Sequence, residues 1–277
     1  MEQSLSTLLA SLEIVPLGEP QPLSGGDIAE VARLETRQGA LVVKRDEAAS
    51  LAAEAEGLRA LRRANSGLIV PEVVAQQDEW LIMEALPQGG RRDPARLGEG
   101  LRTLHGVTGE HHGWPHDNHC GPTAQRNTPC RDGRVFQRDH RLVPLGEACA
   151  ERGLLSSATR DALLDVAQRL ESWLPDRPAC LVHGDLWSGN VLTTPRGPAI
   201  IDPAVYYHYP EVDLAMLTLF GAPGEAFFEA YWDGDKPADW TRRETLFQLY
   251  PLLNHLLLFG GAYRTAVERA IARLAAD

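Results

Sequence analysis

Apolar residues come in short runs broken by polar turns through residues 13–86, and recur at helical spacing through most of the remaining chain. Residues 1–12 read as a short amphipathic helix or arm. EIVPL (13–17), ALVVK (40–44), PEVVAQ (71–76) and EWLIMEAL (79–86) predict strands, the last two joined by a polar turn at Gln77-Asp78. PLSGGDIAEVARLET (22–36) places a Ser-Gly-Gly-Asp turn between two strand-like runs. Residues 47–63 predict a helix with Leu51, Leu58 and Leu61 on one face. At about 100° per residue Glu54 falls among those leucines and Glu56 on the opposite side. Glu47 is expected in the first turn, where an acid suits the helix dipole.

PQGGRRDP (87–94) is the natural hinge, dividing the chain into segments 1–86 and 87–277. Beyond it, 94–105, 159–174 and 211–220 predict helices, and the tail predicts two packed helices separated at Gly260-Gly261. Residues 106–132 show no period and are rich in His, Asn, Pro and Gly, which suggests a long functional loop on the substrate side. The whole is an α+β chain of two parts.

Composition narrows the classes of function. The net charge of −11 argues against a nucleic-acid partner. PLLNHLLLFGGAY is too short and too polar to span a bilayer, so no membrane partner is expected. The start, MEQSLSTLLA, lacks the basic region of a signal peptide, and the four cysteines form no C-x-x-C. A cytoplasmic protein with reduced thiols is the expectation. The chain holds only two lysines, Lys44 and Lys236.

The candidate chemistry lies in LVHGDLWSGNVL (181–192) and AIIDPA (199–204). His183, Asp185 and Asn190 have the spacing H-x-D-x-x-x-x-N, and Asp202 ends the next apolar run. Phosphoryl transfer needs a carboxylate facing the acceptor hydroxyl, and oxygen ligands for the magnesium that neutralises the phosphates. Asp185 suits the first task, Asn190 and Asp202 the second. Taken singly, these residues are ordinary turn and strand-end residues; their order on adjacent apolar runs is what points to catalysis. A strand–loop–strand hairpin is expected to bring them together.

Lys44 closes an apolar strand in a protein that otherwise uses arginine. A compact ammonium reaching nucleotide phosphates explains that choice. Glu54, on a buried stripe, needs a cationic partner, and Lys44 is the natural one. Gly25 and Gly26 would let backbone N–H groups approach phosphate. In a kinase arrangement Met83 would border the adenine pocket, with the Glu84 and Leu86 backbones bonding the adenine edge. Asp213 either caps its helix or holds the catalytic loop by accepting its N–H groups. Arg131, Arg134, Arg138 and Arg141 read as a solvated face or as local ion pairs. Asn254 and His255 are either structural or line the acceptor site.

With those residues in place, the chain resembles the fructosamine kinases, or ketosamine 3-kinases, a family sharing the protein-kinase-like fold with aminoglycoside phosphotransferases. The resemblance is carried by SGGDI (24–28), RLET (33–36), EAEGL (54–58), DNHCGPTAQRNT (117–128), HGDLWSGN (183–190), IDPAVYY (201–207) and LNHLLLFGG (253–261). It implies two lobes, a small antiparallel-sheet lobe that binds nucleotide and a larger, mainly helical one. It further implies ATP and Mg2+ as cofactors and phosphorylation of the carbon-3 hydroxyl of a ketosamine, free or as a glycated lysine. Asp185 would take the hydroxyl proton, Asn190 and Asp202 bind magnesium, and Lys44, steadied by Glu54, contact ATP. The chain departs from the family pattern at Ala29, Arg134 and His208-Tyr209-Pro210-Glu211, the last two near the expected acceptor side.

Overall fold

The structure is a computed structural model that describes residues 4–23 and 29–276. It begins with α1 (Leu5–Ser11), β1 (Gln21–Pro22), β2 (Glu30–Thr36), β3 (Gly39–Arg45), α2 (Ala48–Arg63), β4 (Val73–Gln77) and β5 (Trp80–Glu84). The strands form one antiparallel sheet in the order β1-β2-β3-β5-β4, which makes β3 central. Side chains alternate across a strand. Val43 and Ile82 therefore pack with Leu8, Leu9 and Leu34 on the α1 side. Leu81 and Met83 pack with Leu51, Leu58 and Leu61 of α2 on the other. Lys44, opposite Leu81 in the β3–β5 register, takes the α2 side and is buried.

EIVPL is not a strand. Only Pro16 forms a bridge, with Thr36, and Glu13 turns with φ 58°. Proline has no N–H to give a ladder, so this segment hugs the sheet edge through Leu17 and Arg37 N–H groups instead. Glu47 is the N-cap of α2 rather than part of its first turn, and its side chain makes no cap bond.

Residues 85–93 lead to α3 (Pro94–Leu104), whose N-cap Asp93 accepts the Arg96 N–H. Next come β6 (Thr108–Gly109), β7 (Asn118–Cys120), β8 (Thr123–Gln125), α4 (Gly133–Gln137), a π-turn (Arg138–Leu142), α5 (Val143–Glu151), α6 (Ser157–Gln168) and α7 (Leu170–Trp173). The expected single helix over 159–174 is thus two, broken at Arg169. The chain continues with β9 (Ala179–Val182), β10 (Val191–Thr194), β11 (Gly197–Ile200), β12 (Tyr206–His208), α8 (Glu211–Leu219), α9 (Glu225–Trp232), α10 (Trp240–Phe259) and α11 (Arg264–Ala276). Helix α10 packs on α5, α8 and α11 around a further apolar core, while α3 packs on α9 in the core shared with α2.

The segment 106–132 is more ordered than its composition suggested. It carries β6 and the β7–β8 hairpin, and Asn118, Gln125 and Asn127 are buried within it. Asn127 Nδ2 donates to Asn118 Oδ1 at 2.8 Å, so polar side chains replace an apolar core there. Arg141 is likewise not on a solvated face. It is 1% exposed, lies 4.2 Å from the Tyr206 ring centre, and donates to Asn127 Oδ1 and the Arg126 carbonyl. Arg134 and Arg138 do pair locally, with Asp132 and Asp139.

Candidate active site

The site lies where the loop after β9 meets the segment after β11. The expected hairpin exists, but between other strands: β10 pairs with β11, Val191 opposite Ile200. Strand β9 pairs with β12 and β6 in a separate sheet. Loop 183–190 is therefore a bridge from one sheet to another, and its shape depends on tertiary contacts.

Those contacts centre on His183 and Asp213. The His183 N–H donates to Asp213 Oδ2 at 2.7 Å and the Gly184 N–H to Oδ1 at 2.9 Å. His105 Nε2 lies 3.1 Å from the same carboxylate, and the Tyr231 hydroxyl 2.7 Å from His105 Nδ1. Burial alone would raise the Asp213 pKa, yet these bonds hold it below the usual carboxylate value. Of the two expected roles of Asp213, holding the loop is the observed one. His183 is wholly buried, which lowers its pKa. As a neutral ring it donates from Nε2 to the Ile201 carbonyl at 2.9 Å and accepts the Asp185 N–H at Nδ1. One imidazole thus ties the loop to the segment bearing Asp202. Gly184 must be glycine: its φ is 84°, and a Cβ would lie 2.1 Å from the Ala204 carbonyl oxygen.

Asn190 closes the loop. Its Nδ2 donates to the Asp185 carbonyl at 2.8 Å and approaches Asp185 Oδ2 at 3.4 Å. That orientation leaves Oδ1 without a partner among the described residues. The Asn190 carbonyl accepts the Ile201 N–H at 3.1 Å, so Asn190 and the residue before Asp202 are bonded directly. Asp202 itself has φ 55°, an uncommon conformation for a non-glycine residue and one often found at functional sites. Asn190 Oδ1 and the half-exposed Asp202 carboxylate are hard oxygen donors. Two protein oxygens completed by phosphate and water suit Mg2+, which keeps several waters and needs no all-protein cage. Among the described residues no group of three His, Cys, Asp or Glu could hold a metal by itself.

Lys44 joins the two parts of the molecule. Its Nζ lies 2.7 Å from Glu54 Oε1 and also contacts Asp202 Oδ1. Burial works to lower the Lys44 pKa, but the two carboxylates more than reverse it, so the ammonium stays charged. Burial raises the Glu54 pKa. The expected Lys44–Glu54 pair is present, and Asp202 is added to it.

Asp185 is partly buried, and its pKa is pushed up to about 6, first by burial and then by Asp202 and Asp213. Cys120, the last residue of β7, is buried near the Asp185 carboxylate. Burial, and then the Asp185 charge, push the thiol pKa far above normal, so the group stays neutral. The hairpin is clamped by Asn254 of α10, which bonds Thr123 Oγ1 at 2.5 Å and the Cys120 carbonyl at 3.4 Å. Asn254 is therefore structural.

Met83 is buried in β5, and the Glu84 N–H is committed to the Glu72 carbonyl at 2.8 Å. At the expected base-binding edge this leaves the Glu84 carbonyl and the Leu86 N–H, which bonds no described residue. An open cleft between the 91–97 segment and the catalytic loop is lined by Arg91, Arg92, Ser188, Leu192, Thr193 and Leu217. Gly25 and Gly26 lie outside the described residues.

All 277 residues of the chain match the family described as fructosamine kinase. The chain belongs to the fructosamine kinase family. The probable ketoamine kinase of Vibrio vulnificus (strain CMCP6) is 32% identical over 286 residues, spanning 99% of this chain and 97% of that protein. The probable ketoamine kinase YniA of Escherichia coli (strain K12) is 34% identical over 293 residues, spanning 100% of both. A crystal structure of a Thermobifida fusca YX-ER1 protein, provisionally assigned as a fructosamine-3-kinase, superposes with a TM-score of 0.88 at 31% identity and covers 99% of each chain. The ADP-bound aminoglycoside phosphotransferase APH(2'')-Ib shares the fold, with a TM-score of 0.63 at 18% identity over 98% of this chain and 95% of that one. The architecture is the two-lobed, α+β, protein-kinase-like one, and the family is one of kinases.

Within this fructosamine kinase frame, sequence reasoning did not single out His105 or the wall residues Arg91, Arg92 and Leu192, and it set Cys120 only within the polar 106–132 loop. None stands in the phosphoryl-transfer spacing. The one signal along the chain was the run DNHCGPT, where polar residues crowd a segment that proves to be buried.

Proposed function

We propose that this protein is an ATP-dependent ketosamine 3-kinase. The observation that carries the reading is the convergence of Lys44, Glu54 and Asp202 in one ion-pair cluster, with Asp202 tied through Ile201 and His183 to the loop bearing Asp185 and Asn190. Residues 1–86 serve as the nucleotide lobe, with Gly25, Gly26, Met83, Glu84 and Leu86 about the nucleotide. Residues 87–277 form the catalytic and acceptor lobe.

Asp185 accepts a hydrogen bond from the carbon-3 hydroxyl of a ribulosamine, erythrulosamine or fructosamine and aims its oxygen at the γ-phosphorus. The bond from that phosphorus to the β,γ-bridging oxygen breaks as the new bond to the sugar oxygen forms, and the hydroxyl proton passes to Asp185. ADP departs with the bridging oxygen. Asn190 and Asp202 would hold Mg2+, which supplies charge neutralisation on the phosphates. Lys44 contacts the phosphates as a point charge, and Glu54 fixes its direction. The phosphorylated ketosamine breaks down to the free amine, so the activity amounts to deglycation of metabolites or glycated lysines in the cytoplasm.

The test is phosphorus NMR of the purified protein with ATP and Mg2+, offered a ribulosyl-amine, a fructosyl-amine, an aminoglycoside and choline. A new sugar-phosphate signal with a ketosamine, absent for Asp185→Asn, is the expected result. A signal only with the aminoglycoside or choline would place the chain among other small-molecule kinases of this fold. No transfer with ATP bound would point to a nucleotide-binding regulator.

A further inference from the structure

One exposed feature begins at the catalytic loop and leads away from it. Trp187 stands two residues after Asp185 and is 40% exposed. Its ring lies over Gly189 of the same loop, so closely that a Cβ there would sit 2.2 Å from the indole. This contact explains the glycine of the Trp-Ser-Gly sequence and fixes the ring on the catalytic loop, two residues after Asp185. From Trp187 the next ring is Phe220 at the C-cap of α8, with centroids 6.5 Å apart. Phe220 lies 5.1 Å from His255 of α10. His255 lies 5.5 Å from Phe259 and 5.0 Å from Tyr263. Phe220 is 39% and Phe259 58% exposed, and neither belongs to an apolar core. Five rings from the catalytic loop, the α8 C-cap, α10 and the turn after α10 thus form one open ladder that starts two residues after Asp185.

His255 adds a polar handle. Its Nδ1 lies 2.6 Å from the Pro251 carbonyl, which can only accept, so Nδ1 carries the proton. In the neutral ring Nε2 then keeps an acceptor lone pair, which has no partner among the described residues. The ladder therefore offers aromatic faces and one acceptor, a set that fits a secondary ammonium bearing an apolar group.

We propose that this ladder is the subsite for the amine half of the acceptor, and that it selects ketosamines whose nitrogen bears an apolar, ring-containing substituent. The inference rests on the ketosamine reading and adds to it which amines are preferred. In a ketosamine the nitrogen is attached to carbon 1, two carbons from the phosphorylated one. With the carbon-3 hydroxyl at Asp185, the sugar lies against Trp187. The nitrogen then points its substituent along the ladder from Trp187 towards Phe220, with His255 Nε2 and Phe259 lying further along it. Each ring contact contributes roughly a threefold to tenfold gain in apparent affinity.

The experiment compares N-methyl and N-(2-phenylethyl) ketosamines of one ketose, measuring kcat and KM with wild type, Phe220→Ala and Phe259→Ala. The KM of the phenylethyl compound should be at least fivefold below that of the methyl compound in wild type. Phe259→Ala should erase most of that ratio by raising the phenylethyl KM, with kcat kept. Since Phe259 is exposed and outside the cores, its replacement leaves the fold intact, which a thermal melt verifies. Equal KM values for the two acceptors in wild type, or a parallel rise for both in the variants, would overturn the subsite while leaving the kinase reading in place. Phosphorylation of neither ketosamine would remove both together.

Discussion

The Asp213 carboxylate and the His183 backbone N–H lie 2.7 Å apart, and no strand ladder supplies that bond. Loop 183–190 joins two different sheets, so a buried anion does for it what a hairpin partner would otherwise do. Asp213→Asn keeps one acceptor and turns the other into a donor facing an N–H group. Its unfolding free energy should fall by about 2–4 kcal/mol, the value of one or two bonds to a buried charge. The kcat should fall with it as Asp185 loses its aim. Thermal denaturation together with steady-state kinetics checks this, and an unchanged melt would remove Asp213 from the scaffold of the loop.

Asp185 should be visible in the pH profile. Its pKa is raised to about 6 by burial and by the neighbouring carboxylates, and only the ionised form accepts the hydroxyl proton. The kcat/KM should therefore fall tenfold per pH unit as pH drops below about 6. Asp185→Asn should lose about 10²–10⁴ in kcat while still binding ADP.

The same shift makes a stability prediction of the opposite sense. A carboxyl whose folded pKa is raised prefers its proton in the folded state. Ionising it withdraws stability as pH rises from the unfolded value, near 3.8, through about 6. Above that window Asp185→Asn should be more stable than wild type, by about 1–3 kcal/mol. A melt at pH 7.5 that shows the variant less stable would contradict the assignment of strain to this carboxyl.

Lys44→Arg should be severely impaired. The planar guanidinium cannot meet Glu54 and Asp202 as a single point, and the loss should be about 10²–10³ in kcat, as for removal of one fixed charge stabiliser. Glu54→Gln should lose less, because Lys44 keeps its contact with Asp202. Initial rates at saturating nucleotide would test the order.

His112 and His208 face each other at 2.9 Å between their Nδ1 atoms, and His208 Nε2 meets Gln137 Oε1 at 2.9 Å. Burial lowers both pKa values, most strongly for His208, where His112 and Arg141 add to the effect. A histidine held neutral in the fold but free to protonate when unfolded withdraws stability as pH falls below its ordinary value of 6.5. Melting temperature should therefore decline from pH 7 to pH 5. His208→Asn should be less stable at pH 7 yet show a shallower decline; a parallel slope would show that other groups set it.

Much of the site was legible along the chain because its chemistry is local. The spacing of Asp185, Asn190 and Asp202 is set by one loop and one hairpin, and the period of α2 alone put Glu54 on the face that meets Lys44. Two lysines among 27 basic residues made Lys44 stand out without any structure. The sheet edge was misread at EIVPL because apolar composition does not reveal that a proline withholds its donor. Arg141, Cys120 and the Asn118–Asn127 network were hidden for a different reason. A polar residue is buried only when partners from distant segments satisfy it, and those partners are brought together by the fold. The same holds for the loop itself: the sequence determined which groups it carries, while Asp213 and His183, 30 residues apart, decided where they point. The aromatic ladder, drawn from the catalytic loop, α8 and the α10 end, exists only in the tertiary structure, since no periodicity links rings on separate elements.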